Sequence, residues 1–276
     1  MHKRNASIDI LRFAAALAIV WFHLPIAGGS AALAALHVFM ALQVFFGVGR
    51  NLRAQAVRLM VPWLFWSAFY AAGRCLQALM QDRPIASEFE TWMLLTGAAL
   101  HLWYLPFSLI AVATGTLLLK SSPRICAIIC SVMFLAGIIV TNTVYLTIPW
   151  IQYVSVTPAI ALGILLARDF NRFWIIAFTV GLSAVFVFLI GWSSVALQIM
   201  LAGILIGIAF VFPLNSSKLT DWFRSTSFGI YLVHPAAYSC LLMVSDFQGI
   251  MLFVVTATIS IFAVVILQRF IPWSVM

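Results

Sequence analysis

Ser7–His23, SIDILRFAAALAIVWFH, decides how this chain is read, because it sets an aspartate, an arginine and a histidine into an otherwise unbroken apolar helix. Lipid offers none of these groups a partner, so at membrane depth the protein must supply one, and such residues mark a functional site. Arg12 and His23 lie eleven residues apart, which is roughly three turns and ~16 Å of helix, and so share one face. Asp9 stands one turn before Arg12, at the i,i+3 spacing at which a carboxylate and a guanidinium meet. One face is therefore expected to carry an ion pair low down and an imidazole higher up.

The rest of the chain agrees with a membrane setting. Hydrophobic residues make up 64% of the 276 and charged residues only 8%, with apolar runs along the whole length. That is the composition of a polytopic helical membrane protein, and at roughly 20 residues per span it leaves room for about ten spans and no separate soluble domain. The expected architecture is an all-α transmembrane bundle forming a single domain over residues 1–276. Lys3 and Arg4 before an apolar run imitate a signal peptide, but Asp9, Arg12 and His23 would interrupt its apolar region, so an uncleaved first span is expected. The net charge of +8 falls in short loops, where topology explains it better than a nucleic-acid partner does. Cys75, Cys126, Cys130 and Cys240 form no CxxC pair and read as buried thiols, with no metal site expected.

Taken in order, Ser7 can cap the first span, which ends near Pro25, with Gly28, Gly29 and Ser30 as an outer turn. A second span runs from about Ala31 to Gly49 and meets a basic loop with Arg50, Arg53 and Arg58. Pro62 reads as the opening of the third span, which reaches about Leu79. A polar stretch, Gln81 to Glu90, follows, and Trp92 to Leu100 is too short to cross. His101 to Tyr104 open the fourth span, with Trp103 and Tyr104 suited to an interfacial aromatic belt. Further spans are expected at about 125–141, 150–167, 173–190, 194–213, 227–245 and 249–268, which makes ten.

Loop charges bear on this count. Lys3, Arg4, Arg50, Arg53, Arg58, Lys120, Arg124, Arg168, Arg172, Lys218, Arg224 and Arg269 fall on one side, and only Arg74 and Arg83 on the other. Twelve against two, by the positive-inside rule, predicts ten spans with both termini cytoplasmic, Arg12 toward the cytoplasm and His23 in the outer half. No internal repeat of the kind common in secondary transporters is visible. Partners for His37 are not evident, and His2 is expected in solvent.

Four blocks resemble the integral-membrane acyltransferase 3 family, which includes bacterial O-acyltransferases of surface glycans. Ile8-Asp9-Ile10-Leu11-Arg12 through His23 is similar to its opening helix. Phe39 to Phe46 resembles its aromatic second span, although Gln43 and Val44 stand where relatives usually read Ser-Gly. Arg58 to Trp66 resembles the basic entry to the third span; Arg50 and Arg53 match the family's arginine pair but lie further from the proline, and Gln55 lacks an expected arginine. The fourth block is split between His101-Leu102-Trp103-Tyr104-Leu105-Pro106 and Ser227 to Pro235, which contains Tyr231 and His234.

The resemblance implies acyl transfer from acyl-coenzyme A, acetyl-coenzyme A above all, to a hydroxyl of a surface or exported glycan or a lipid-linked sugar. Such chemistry needs a base, oxyanion donors and cations for the donor phosphates. His23, with an unperturbed pKa near ~6.5, is the candidate base. Asp9 is placed with it, as the group that orients Arg12. Arg12 would clamp the donor with forked, permanently charged donors, aided by Arg50, Arg53 and Arg58 at the cytoplasmic mouth. Gln43, Trp103, Tyr104, Tyr231 and His234 are candidate cavity-lining residues. His234 has a second use, since Pro235 beside it frees helix backbone groups that an imidazole can satisfy. No permanently bound cofactor is expected; the setting is a bacterial cytoplasmic membrane, with polysaccharide assembly proteins as possible neighbours. A transporter or flippase of a lipid-linked sugar would use the same buried charges differently. A non-catalytic partner of a polysaccharide synthase would need no such face.

Overall fold

The computed structural model describes residues 4–168, 170–191 and 194–275. Lys3, counted above among the basic loop residues, and His2 lie outside the described residues. Among the described residues thirteen α-helices follow one another: α1 (Ala6–Phe22), α2 (Gly29–Ala32), α3 (Ala34–Gly47), α4 (Leu52–Met80), α5 (Met93–Thr96), α6 (Tyr104–Leu118), α7 (Pro123–Thr143), α8 (Trp150–Ser155), α9 (Thr157–Ala167), α10 (Arg172–Ile190), α11 (Ser194–Val211), α12 (Lys218–Val244) and α13 (Gly249–Phe270). Among the described residues there is no strand. Seven helical stretches among the described residues are long and apolar enough to cross a membrane: α2 with α3, Leu100–Leu118, α7, α8 with α9, Arg172–Leu189, α12 and α13. The 17-residue α1, the apolar α11 and the arginine-bearing α4 fall outside that group.

Two helix starts differ from expectation. Asn5, not Ser7, caps α1, its side chain accepting from the Ser7 backbone at 3.0 Å. The Ser7 hydroxyl instead donates to the Phe212 carbonyl and accepts from the Leu214 backbone, joining α1 to the end of α11. Pro62 does not open a helix. Asn51 caps α4 by accepting from the Ala54 N–H at 3.2 Å, so the helix is already wound when it reaches Pro62. Proline there removes only the bond to the Arg58 carbonyl, a local loss a long packed helix tolerates.

Close packing rests on small residues. A Cβ on Gly163 of α9 would sit 2.5 Å from the Ala41 carbonyl oxygen of α3, so the two backbones can touch only because it is absent. His37, for which no partner was evident, is buried in α3 and donates from Nε2 to the Ser155 carbonyl of α8 at 3.0 Å. Outside the bundle, Arg74 donates to the Ala98 carbonyl at 2.8 Å and to the Glu88 carbonyl at 3.2 Å, while Arg83 pairs with the Glu88 carboxylate at 2.8 Å. The two basic residues that broke the loop rule thus share one acidic partner.

Two expectations about burial fail for one reason. Cys126 and Cys130 are buried and all four cysteines are free, but Cys75 is half-buried and Cys240 exposed. Trp103 and Tyr104 are not belt residues: each is only 4% exposed, inside the bundle. In a membrane protein the outer face of a helix is as apolar as its core, so hydropathy does not report which way a side chain points.

α1 is the strand of contact between distant parts of the chain, packing on α2, α3, α11, α12 and α13. Its pairing with α12 is parallel. Arg4 meets Asp221 near the start of α12, Phe13 stacks on Phe223 with ring centres 4.4 Å apart, and His23 meets His234. The same end of the two helices therefore carries both histidines.

Candidate active site

His23 stands just past the last turn of α1, where its backbone N–H still bonds the Ile19 carbonyl. Its ring Nδ1 lies 2.9 Å from that same carbonyl oxygen and 3.1 Å from Nε2 of His234. The Nδ1 of His234 is in turn 3.2 Å from the Ile230 carbonyl, one helical turn back on α12. His23 is exposed, whereas His234 is 1% exposed behind it. The pair thus presents one reachable imidazole backed by one enclosed imidazole.

A third histidine completes the group. His101, in the turn Leu100–Trp103 that leads into α6, has its ring 5.8 Å from that of His234 and 5.1 Å from that of Tyr70. Its Nε2 is buried and has no hydrogen-bond partner among the described residues. Three tyrosines hold the surroundings. Tyr231 donates to the His101 carbonyl, Tyr70 to the Leu232 carbonyl at 2.8 Å, and the Tyr104 ring lies 5.5 Å from that of Tyr231. Among the described residues no group of three His, Cys, Asp or Glu side chains converges as metal ligands.

At the other end of α1 the expected ion pair is not the one formed. Asp9 takes its hydrogen bonds from Arg4, at 2.8 Å to Nε, and Arg4 also binds Asp221. The bond to Asp221, with help from Asp9, holds the Arg4 guanidinium above the ordinary arginine value against the opposing effect of burial. Asp9 is therefore a structural link between the start of α1 and α12, not the orienting partner of Arg12. The i,i+3 spacing allowed the contact with Arg12, but Arg4 reaches both carboxylates at once and compensates the buried Asp9 together with the exposed Asp221.

Arg12 is left half-buried with no hydrogen bond or ion pair among the described residues. The charged side chains within electrostatic reach of it are Arg58, Asp9 and Arg224. A guanidinium without a partner among the described residues can take an anion. Arg53 and Arg58, with Asn51, Ala54 and Val57, line an open depression of about 420 Å³ at this end, and Arg50 is exposed beside it. Gln43 is half-buried and makes no hydrogen bond among the described residues. Trp103 is a packing residue, its ring 5.8 Å from those of Phe107 and Tyr153.

The sequence blocks that meet here, from α1, from Leu100–Leu118 and from α12, come from the beginning, the middle and the last quarter of the chain. The family model described as an acyltransferase domain matches residues 5–269, almost the whole length. The chain belongs to the acyltransferase 3 family. No curated protein and no solved structure matches it. Within this acyltransferase the histidine pair and the unpaired Arg12 are the chemically competent groups: one can exchange a proton, the other can hold an anion.

Two members of the site had no role assigned from sequence. His101 opens a block noted for its aromatics, and Arg224 was counted only as a loop charge. The signal for His101 was available, since an imidazole inside an apolar run deserves the same scrutiny as His23. For Arg224 there was none, because its electrostatic reach to Arg12 depends on how α12 lies against α1.

Proposed function

We propose that this membrane acyltransferase moves an acyl group, acetyl in the first instance, from acyl-coenzyme A to a hydroxyl of a cell-surface or exported glycan. His23 Nε2 is the general base. As the acceptor oxygen attacks the thioester carbonyl carbon, His23 takes the hydroxyl proton; the new C–O bond forms, the C–S bond breaks, and the leaving thiolate receives that proton from His23. The base ends as it began, and the products are the ester and free coenzyme A.

The observation that carries this reading is the pair of contacts at His23 Nδ1, to the Ile19 carbonyl and to His234, while Nε2 of this exposed residue has no partner among the described residues. Arg12, roughly three turns below at ~16 Å along the helix, is at about the reach of an extended pantetheine arm. Arg12 clamps the donor, with Arg50, Arg53 and Arg58 meeting the phosphates at the cytoplasmic mouth. This arrangement suits ten spans with both termini in the cytoplasm of a bacterial inner membrane.

Membranes carrying the chain are expected to transfer label from radiolabelled acetyl-coenzyme A to an endogenous glycan. His23→Ala is expected to reduce transfer by about 10²- to 10⁴-fold, the usual worth of a positioned base, with the protein still inserted. Undiminished transfer in that variant would sink the role of His23. Substrate crossing the bilayer without any acyl donor would identify a transporter instead.

A further inference from the structure

We infer that His234 is the positioning residue of His23: its Nε2 accepts the Nδ1–H of His23 and so holds the exposed ring in the tautomer whose Nε2 carries a free lone pair. This rests on the reading of His23 as general base. Proton positions follow from the three contacts themselves. A carbonyl oxygen only accepts, so a ring nitrogen that faces one in hydrogen-bond range carries the hydrogen. His23 Nδ1 faces the Ile19 carbonyl at 2.9 Å, and His234 Nδ1 faces the Ile230 carbonyl at 3.2 Å. With its hydrogen on Nδ1, neutral His234 has a lone pair at Nε2, and that lone pair lies 3.1 Å from the His23 Nδ1–H.

All three contacts then oppose a donor to an acceptor, the single His23 Nδ1–H being shared between the Ile19 carbonyl and His234 Nε2 as a three-centre bond. Each of the other three neutral assignments sets two lone pairs or two N–H groups against one another at two of the three contacts. Moving the His23 hydrogen alone opposes its bare Nδ1 to the Ile19 carbonyl and to His234. Moving the His234 hydrogen alone opposes two N–H groups and leaves its bare Nδ1 against the Ile230 carbonyl. Moving both restores the bond between the rings but leaves each carbonyl facing a lone pair.

The arrangement also favours the charged form that catalysis requires. When His23 takes a proton at Nε2 it becomes an imidazolium, and its Nδ1–H bond to His234 becomes charge-assisted and stronger. His234 does for His23 what a carboxylate does for the histidine of a hydrolase triad, orienting the ring and stabilising its cation, but as a neutral group. Its own ring is kept in place by enclosure: it is 1% exposed and packed at 5.8 Å from the His101 ring and 6.2 Å from that of Tyr231.

The test compares His234→Phe, which keeps a flat ring but has no acceptor, with His234→Gln, whose amide oxygen can take over the bond. Release of coenzyme A thiol from acetyl-coenzyme A is measured in membranes, alongside the nitrogen chemical shifts of His23, which distinguish its two tautomers. His234→Phe is expected to lower kcat by about 10²-fold with KM for acetyl-coenzyme A unchanged, and to turn a single His23 tautomer into a mixture. His234→Gln is expected to recover most of the rate and the single tautomer. Wild-type kcat in His234→Phe overturns the inference, as does an equal loss in both variants with the His23 tautomer unaltered. Should the phenylalanine ring not be accommodated, His234→Ala removes the acceptor without adding volume and is read by the same measurements. His23→Ala, run beside them, separates the two readings: full thiol release there removes the base, while the nitrogen shifts still decide whether His234 sets the tautomer.

Discussion

Asp9 and Arg12 look alike from the sequence and do different work. Asp9, with its side chain 7% exposed, is tied to Arg4, whereas Arg12 is left without a partner among the described residues. Their variants should separate accordingly. Arg12→Gln is expected to raise KM for acetyl-coenzyme A by about 10- to 100-fold, the worth of one charged hydrogen bond to the donor, with the thermal midpoint in detergent little changed. Asp9→Asn should leave that KM unchanged and lower stability by about 2 kcal/mol, below the full cost of breaking a buried pair because Arg4 is partly solvated. Donor titration and thermal unfolding of the two variants check this, and a raised KM in Asp9→Asn would return Asp9 to the donor site. The i,i+3 spacing of Asp9 and Arg12 was legible and correct as geometry. It did not decide the pairing, because Arg4 gains a second carboxylate, Asp221, from more than two hundred residues away.

Helix contacts explain why α1 and α12 hold their histidines in register. A Cβ on Gly229 of α12 would lie 2.6 Å from a Val264 methyl of α13 and 3.1 Å from the Val275 Cβ, so α12 is pressed against its neighbour one turn from His234. Gly229→Ala is expected to cost about 1–3 kcal/mol through overpacking and to lower turnover, because α12 must shift relative to α1. Gly73 of α4 has open space around it, and Gly73→Ala should raise stability by up to about 1 kcal/mol with turnover intact. Thermal midpoints and thiol release measured together check both, and normal turnover in Gly229→Ala would show that the histidine contact tolerates the shift. Most helices were readable from their apolar runs. The error at Pro62 arose because proline is compatible with a helix start and with the interior of a long helix, and Asn51 supplied the earlier cap.

At the scale of the molecule, the loop charges favour one sidedness. The proposed cytoplasmic termini predict that, in a chain with its four native cysteines replaced, Asp82→Cys is labelled by an impermeant thiol reagent from outside and Asn215→Cys only in inverted vesicles. The reverse pattern would overturn the proposed topology and place Arg12 on the outer side. By itself the sequence determined that the chain is helical and membrane-embedded, that Arg12 and His23 share a face of the first helix, and that its motifs resemble acyltransferases. The first two follow from hydropathy and from the 3.6-residue turn, both of which are local properties of the chain; the third rests on the motif blocks themselves. Only the tertiary structure decided that Arg4 and not Arg12 holds Asp9, that the charge of Arg224 reaches Arg12, and that His101 and His234 close on His23. The physical reason is that helix association in a membrane depends on small-residue contacts and scattered polar bonds, and neither leaves a periodic mark in the sequence.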